Sequence, residues 1–270
     1  MPGIEVRRKA EGQIALRERA GLVSPLSATH PDFGLSEAYD IAAEIVRIRR
    51  RRGERTVGRK IGFTNTAIWA EYGLDTPIWA HMYEDTVRFA AGDHAVLPLA
   101  GMAAPRIEPE IVLKLRSTPT GDGEDSLLAA IDWLAVGFEI VDCHYPDWKF
   151  QPADTVADFG LHAALVIGTP AMVADPRNDA FLRSLKEFRI VLLCGGKEMA
   201  RGQGAFVLGS PLLALRHLRD LLRSQNGEPL APGEIVTTGT LTAALPVRPG
   251  ETWSVSLDGI DLPAPSLTLA

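Results

Sequence analysis

The chain has 270 residues, a formal net charge of −6, 46% hydrophobic and 23% charged residues. That balance fits one large globular domain, or a main domain with a small attachment, and is too apolar for a disordered acidic chain. No apolar run approaches the roughly 18 residues of a membrane helix, and mild acidity gives no reason to expect nucleic acid. Residues 1–9 carry charge with no apolar stretch behind them, so no signal peptide is expected, and two cysteines, Cys143 and Cys194, suit a reducing, cytoplasmic setting.

The N-terminal quarter reads as helical. Ser36 is placed to cap a segment in which Ala38, Ile41, Ala42, Ile45 and Ile48 recur at helical spacing. Arginines 49–52 and Gly53 close it, with cations at the negative end of the helix dipole and a terminating glycine. The arginine run reads as a solvated helix end, because nothing else in the chain extends it into a basic patch. From about residue 86 the texture changes to strands at 106–115, 135–142, 161–167, 188–194, 234–240 and 252–257, punctuated by Gly, Pro and Asp. Cys194-Gly195-Gly196-Lys197 and Asp258-Gly259 read as hairpin-type turns, 118–125 as a surface loop, and Ser210-Pro211 as the start of a helix burying Leu212, Leu215, Leu218 and Leu222. The expected division is a helical N-terminal cap over 1–85 and a β-rich catalytic region over 86–270, acting as one functional unit. The fold class is α+β, a helical cap on a large antiparallel or mixed sheet.

Chemistry concentrates in two of these strands. In Arg106-Ile107-Glu108-Pro109-Glu110-Ile111, alternation puts Glu108 and Glu110 on one face and the isoleucines on the other. Carboxylates so spaced are roughly 7 Å apart at the backbone and can converge on one cation; the pattern equally fits a solvated strand face. Pro109 lacks a ladder donor and points to an edge or a bulge. The second strand, Ala135-Val136-Gly137-Phe138-Glu139-Ile140-Val141-Asp142, is almost wholly apolar and reads as buried on both faces. Glu139 in its middle needs a cation, a hydrogen-bond network or a raised pKa. Three carboxylates suit Mg²⁺ or Mn²⁺ rather than a soft-ligand zinc site.

Several blocks, in order and at matching spacing, resemble the 2-keto-4-pentenoate hydratase / 4-oxalocrotonate decarboxylase family of the fumarylacetoacetate hydrolase superfamily. Gly58-Arg59-Lys60-Ile61-Gly62-Phe63-Thr64 is similar to its "GxKIGxT" opening, and Glu108-Pro109-Glu110 to its "ExE" strand. Glu139-Ile140-Val141-Asp142, Asp147-Trp148-Lys149 and Asp154-Thr155-Val156-Ala157-Asp158 resemble its "EIVDxR…DWK…DTVAD" block. Gly202-Gln203-Gly204 and the run 230–239 follow in turn. The likeness extends from about residue 36 to the C-terminus.

The resemblance implies a rolled mixed β-sheet of the fumarylacetoacetate hydrolase C-terminal-domain type, a homo-oligomer, and one Mg²⁺ or Mn²⁺ held by Glu108, Glu110 and Glu139. It places Lys60 at the substrate, where it holds an enolate oxygen or, with a lowered pKa, moves a proton. The implied substrate is a small 2-oxo acid or 2-hydroxy-2,4-dienoate, and the implied reaction is hydration in aromatic-compound catabolism. Decarboxylation of a 2-oxo dicarboxylate, C–C hydrolysis of an acylpyruvate and a catalytically weak partner subunit are the alternatives.

The chain departs from the family at Asp142-Cys143-His144, against "DSR", and at Ala157-Asp158-Phe159-Gly160-Leu161-His162, against "ADNASS". A less polar or larger substrate tail follows from those changes. His144 and His162 are candidate proton carriers or substrate contacts, or structural histidines. Asp158 and Asp75 position water or cap turns. Phe159, Gln203 and Thr240 are assigned to substrate binding, His81 to the pocket border, and Trp148 and Phe150 to its wall or the core.

Overall fold

The structure is a computed structural model that describes residues 3–174 and 178–270. Three helices lead the chain, α1 (Ile4–Arg19), α2 (Leu26–Thr29) and α3 (Leu35–Arg51). They are followed by β1 (Thr56–Gly62), α4 (Trp69–Tyr72), β2 (Ile78–Tyr83), β3 (Val87–Phe89), β4 (His94–Leu97) and β5 (Pro105–Leu115). The middle holds α5 (Glu124–Ala129), β6 (Ile131–Asp142), α6 (Pro152–Ala157), β7 (His162–Ile167), β8 (Ala171–Met172) and α7 (Asp179–Glu187). The remainder is β9 (Arg189–Cys194), β10 (Lys197–Gln203), α8 (Pro211–Ser224), β11 (Ile235–Thr237), β12 (Leu245–Pro246), β13 (Thr252–Asp258) and β14 (Ser266–Leu269).

The strands form two mixed sheets. The larger runs β2-β1-β11-β5-β6-β7-β3, with β12 also on β5 and β8 also on β6; the smaller runs β10-β9-β13-β14-β4. Ile107, Ile111 and Leu113 of β5 share one core with Val136 and Phe138 of β6, Trp253 and Leu267 of the smaller sheet, and Leu212, Leu215, Leu218 and Leu222 of α8. A second core joins Ile41 and Ile45 of α3 to Ala10 and Ile14 of α1 and Val156 of α6. No helix among the described residues is long and apolar enough to cross a membrane.

Local chemistry explains several boundaries. Helix α8 starts where Ser210 Oγ accepts the Leu213 N–H at 3.1 Å, with Pro211 in the first turn where its missing N–H costs nothing. The Gly195-Gly196 turn between β9 and β10 has φ of 56° and 79°, the left-handed pair a two-residue hairpin requires. Gly259, by contrast, bends the chain out of β13 into a coil that reaches β14 only at Ser266, so Asp258-Gly259 is no tight hairpin.

Other expectations need correction. Helix α3 is capped by Gly34, with no side-chain cap, and Ser36 is exposed in its first turn. The loop over 118–125 gives way to α5 already at Glu124. Arg49 is buried, its guanidinium 3.6 Å from the centre of the Tyr83 ring and paired with Glu54 and Asp85, while Arg50 and Arg52 reach Glu228 and Glu18. The helix end is solvated as expected at Arg50, Arg51 and Arg52, and only Arg49 turns inward. Pro109 lies in an interior strand, on the side of β5 left open between β11 and β12, where its carbonyl accepts the Leu241 N–H. The 1–85 segment also exceeds a helical cap, because β1 and β2 belong to the larger sheet.

Candidate metal centre

Register builds the site. Glu108 stands directly opposite Glu139, and Glu110 opposite Gly137, in the antiparallel β5–β6 ladder. Lys60 pairs with Thr237 of β11, Thr237 with Val112 of β5, and Val112 with Ala135 of β6, so all share the face that carries the glutamates. Carboxylate oxygens of Glu108, Glu110 and Glu139 lie within 4.8 Å of one another, the one such group of three His, Cys, Asp or Glu side chains among the described residues. Glu110 and Glu139 are fully buried and Glu108 faces a cleft of about 380 Å³.

Like charges directly opposite one another on a sheet are destabilising, and buried ones more so. Burial, reinforced by repulsion from Glu139, pushes the Glu108 carboxyl up to about 7, against the pull of Lys60. Burial and the two neighbouring carboxylates push Glu110 up as well. Burial pushes Glu139 the same way, but Lys60 and His162 outweigh it and hold Glu139 down at about 2. Glu139 Oε2 lies 3.2 Å from Lys60 Nζ without an aligned hydrogen bond, and Glu110 Oε1 has no partner. Two unsatisfied hard oxygens beside a third carboxylate are the donor set of a divalent cation such as Mg²⁺ or Mn²⁺.

Two glycines make the geometry possible. Gly239 donates its N–H to Glu110 Oε2 at 2.7 Å from a backbone with φ of 95°, and a Cβ there would lie 2.0 Å from Thr64 Oγ1. Gly160, at φ of 62°, turns its carbonyl to accept Lys60 Nζ at 3.1 Å. For Lys60, burial works to lower the pKa, but Glu139 and the other glutamates outweigh it and raise it. Beside the three glutamates alone Lys60 is therefore an ammonium hydrogen-bond donor.

The other nominated residues divide. Thr240, Trp148 and Phe150 line the cleft with Lys60 and Glu108. Thr240 Oγ1 donates to the Thr242 carbonyl at 2.9 Å, so its hydroxyl is already engaged. His162 is outside the cleft: its Nδ1 lies 2.7 Å from Glu139 Oε1 and its Nε2 2.9 Å from Thr86 Oγ1. His144 and Asp158 form a buried pair at 2.8 Å, with Asp142 3.5 Å from His144 on its other side. Burial works to lower the His144 pKa but Asp158 holds it above the ordinary value, and burial raises Asp158. Neither lines the cleft; Asp158 accepts the Leu161 N–H through its carbonyl and so shapes the turn that carries Gly160.

Phe159 faces away, packed on Tyr83 and under Arg17, because the turn sends its side chain toward the α3 core. With His81 it lines a different cavity of about 670 Å³ beneath α3. Asp75 is exposed in the loop before β2, and Gln203 ends β10 outside the cleft. Arg106, Phe63, Tyr72 and Phe206 line the cleft and were not singled out from sequence. Arg106 had a visible signal, since it shares the face of Glu108 and Glu110; its guanidinium lies 3.8 Å from the Trp148 ring centre.

Comparison with known proteins follows the same lines. Residues 70–262 match the family described as fumarylacetoacetate (FAA) hydrolase C-terminal. The chain is 31% identical to a 2-hydroxyhexa-2,4-dienoate hydratase of Comamonas testosteroni, over 91% of this chain and 90% of that one. It is 32% identical to a 4-oxalocrotonate decarboxylase of Pseudomonas sp. (strain CF600), over 86% and 84%. Among solved structures, the 4-oxalocrotonate decarboxylase from Pseudomonas putida G7, complexed with magnesium and adipate, superposes with a TM-score of 0.88 at 28% identity, covering 100% of this chain and 99% of that one. The chain belongs to the fumarylacetoacetate hydrolase family.

Proposed function

We propose that the protein is a divalent-metal-dependent hydro-lyase that adds water to a small 2-hydroxy-2,4-dienoate, such as the enol of 2-oxopent-4-enoate, in the breakdown of aromatic compounds. The observation that carries this reading is the convergence of Glu108, Glu110 and Glu139 beside Lys60, at a cleft that Glu108 and Lys60 line. Its relatives named as hydratases support the reaction type. A Mg²⁺ or Mn²⁺ ion held by the three glutamates would supply Lewis-acid stabilisation of negative charge on a 2-oxo oxygen. Lys60 adds a second, fixed positive charge. An ammonium has three donors; the Gly160 carbonyl occupies one, which leaves N–H groups free for a substrate oxygen. Phe63, Tyr72, Trp148 and Phe150 line the cleft as a contiguous aromatic wall.

One observation favours a second reading, decarboxylation of a 2-oxo dicarboxylate of the 4-oxalocrotonate kind. Arg106 lines the cleft and suits a second carboxylate. Assay of the purified protein with Mg²⁺ or Mn²⁺ on both substrates separates them. Consumption of the dienoate without CO₂ release is expected, and CO₂ release from 4-oxalocrotonate without hydration of the dienoate overturns the first reading in favour of the second. A cytoplasmic homo-oligomer fits both.

A further inference from the structure

We propose that His162 is a positioning residue of the metal centre: it fixes the rotation of the Glu139 carboxylate, so that one oxygen is held by the protein and the other is presented to the ion. This rests on reading Glu108, Glu110 and Glu139 as the metal ligands.

A β-bulge makes it possible. Along the β6–β7 ladder Glu139 pairs with Leu165 and Ile140 with Ala164, but Val141 pairs with His162, leaving Ala163 as the extra residue. In an unbroken ladder Ala163 would oppose Val141 and share the Glu139 face, while His162 would point to the opposite one. The bulge exchanges them, re-aiming the imidazole at Glu139. Arg17 of α1 donates to the His162 carbonyl and, at 3.1 Å, to the Ala163 carbonyl, which engages both acceptors at the ladder break.

The contacts of the ring then define its task. A carboxylate only accepts, so Nδ1 donates to Glu139 Oε1 at 2.7 Å. On the other side Nε2, the acceptor of that tautomer, lies 2.9 Å from Thr86 Oγ1, whose single proton it shares with the Tyr83 carbonyl at 2.8 Å. Glu139 Oε2 is left without a hydrogen bond, on the side of Lys60 and the other glutamates. A histidine present only to satisfy the core has no need to hold the one glutamate that stands opposite Glu108. Partners that orient ligands in this way typically contribute 10–100-fold to metal affinity.

Two substitutions separate positioning from filling. In His162→Asn the amide nitrogen stands where Nδ1 stands, keeping the Glu139 donor and losing Thr86; in His162→Gln it stands nearer Nε2, keeping Thr86 and losing Glu139. Mn²⁺ binding to the full-length protein is measured by titration calorimetry, with metal-free unfolding curves to verify folding. Wild type and His162→Asn should bind within about threefold of each other, and His162→Gln about 10–100-fold more weakly. Equal affinity of the Asn and Gln variants, whether both strong or both weak, overturns the proposal. A wild-type protein that takes neither Mn²⁺ nor Mg²⁺ overturns the metal-centre reading as well, whereas wild-type binding with indistinguishable variants removes only the role of His162.

Discussion

Single side chains at this site have opposed effects on stability and on binding. Glu108 and Glu139 face each other across a ladder, and such like-charge pairs are destabilising even on ordinary sheets. Glu108→Gln should therefore raise the unfolding midpoint of the metal-free protein while weakening Mn²⁺ binding, as thermal denaturation and calorimetry on one preparation would show. Lys60→Met removes an N–H aimed at developing negative charge, and turnover at saturating metal should fall about 100- to 1,000-fold. Strand alternation was enough to bring Glu108 and Glu110 onto one face, and the apolar run around Glu139 to mark it as buried. His162 and Phe159 were not legible in that way. A bulge reverses which residues of the β7 start face the site, and a turn with positive φ at Phe159 sends its ring to the other side.

At the level of elements, the connections carry as much of the site as the strands. The segment after β11 brings the Gly239 N–H to Glu110 through a left-handed residue packed against Thr64. Gly239→Ala adds a Cβ in both a forbidden conformation and an occupied space, and should destabilise the protein by about 1–3 kcal/mol, measured by denaturant unfolding. Helix α8 and the β9–β10 hairpin were readable because their signals are local, a Ser-Pro start and a Gly-Gly turn. The membership of β1 and β2 in the larger sheet was not, because it depends on pairing with β11, some 175 residues further along. The position of Pro109 shows the same limit: its missing N–H restricts one side of the strand, and only tertiary structure leaves that side open within the sheet.

Over the whole molecule, two cavities lie on either side of β1 and β2. One is lined by Lys60 and Glu108; the other lies under α3 and holds His81 beside Trp79 and Arg59. Burial, aided by Arg59 and Arg50, pushes the His81 imidazole down to about 3, far below its ordinary 6.5. The unfolded chain binds a proton there that the native state refuses, so this contribution to stability is complete above about pH 6.5 and is lost as pH falls toward 3. His81→Asn should make stability less dependent on acid: between pH 7.5 and pH 5 its urea midpoint should fall less than that of the wild type.

Arg17 lies 145 residues before the strand whose carbonyls it holds, on the first helix of the chain. If that grip favours the arrangement of Glu139 that takes an ion, thermodynamic reciprocity requires an ion to favour the grip by the same factor. Cation occupancy at the centre of the sheet is then reported at the N-terminus. Addition of Mn²⁺ should slow amide hydrogen exchange in Ile4–Arg19 more than in α7, a helix packed on the other core, and unchanged exchange in the first helix would show the two to be independent.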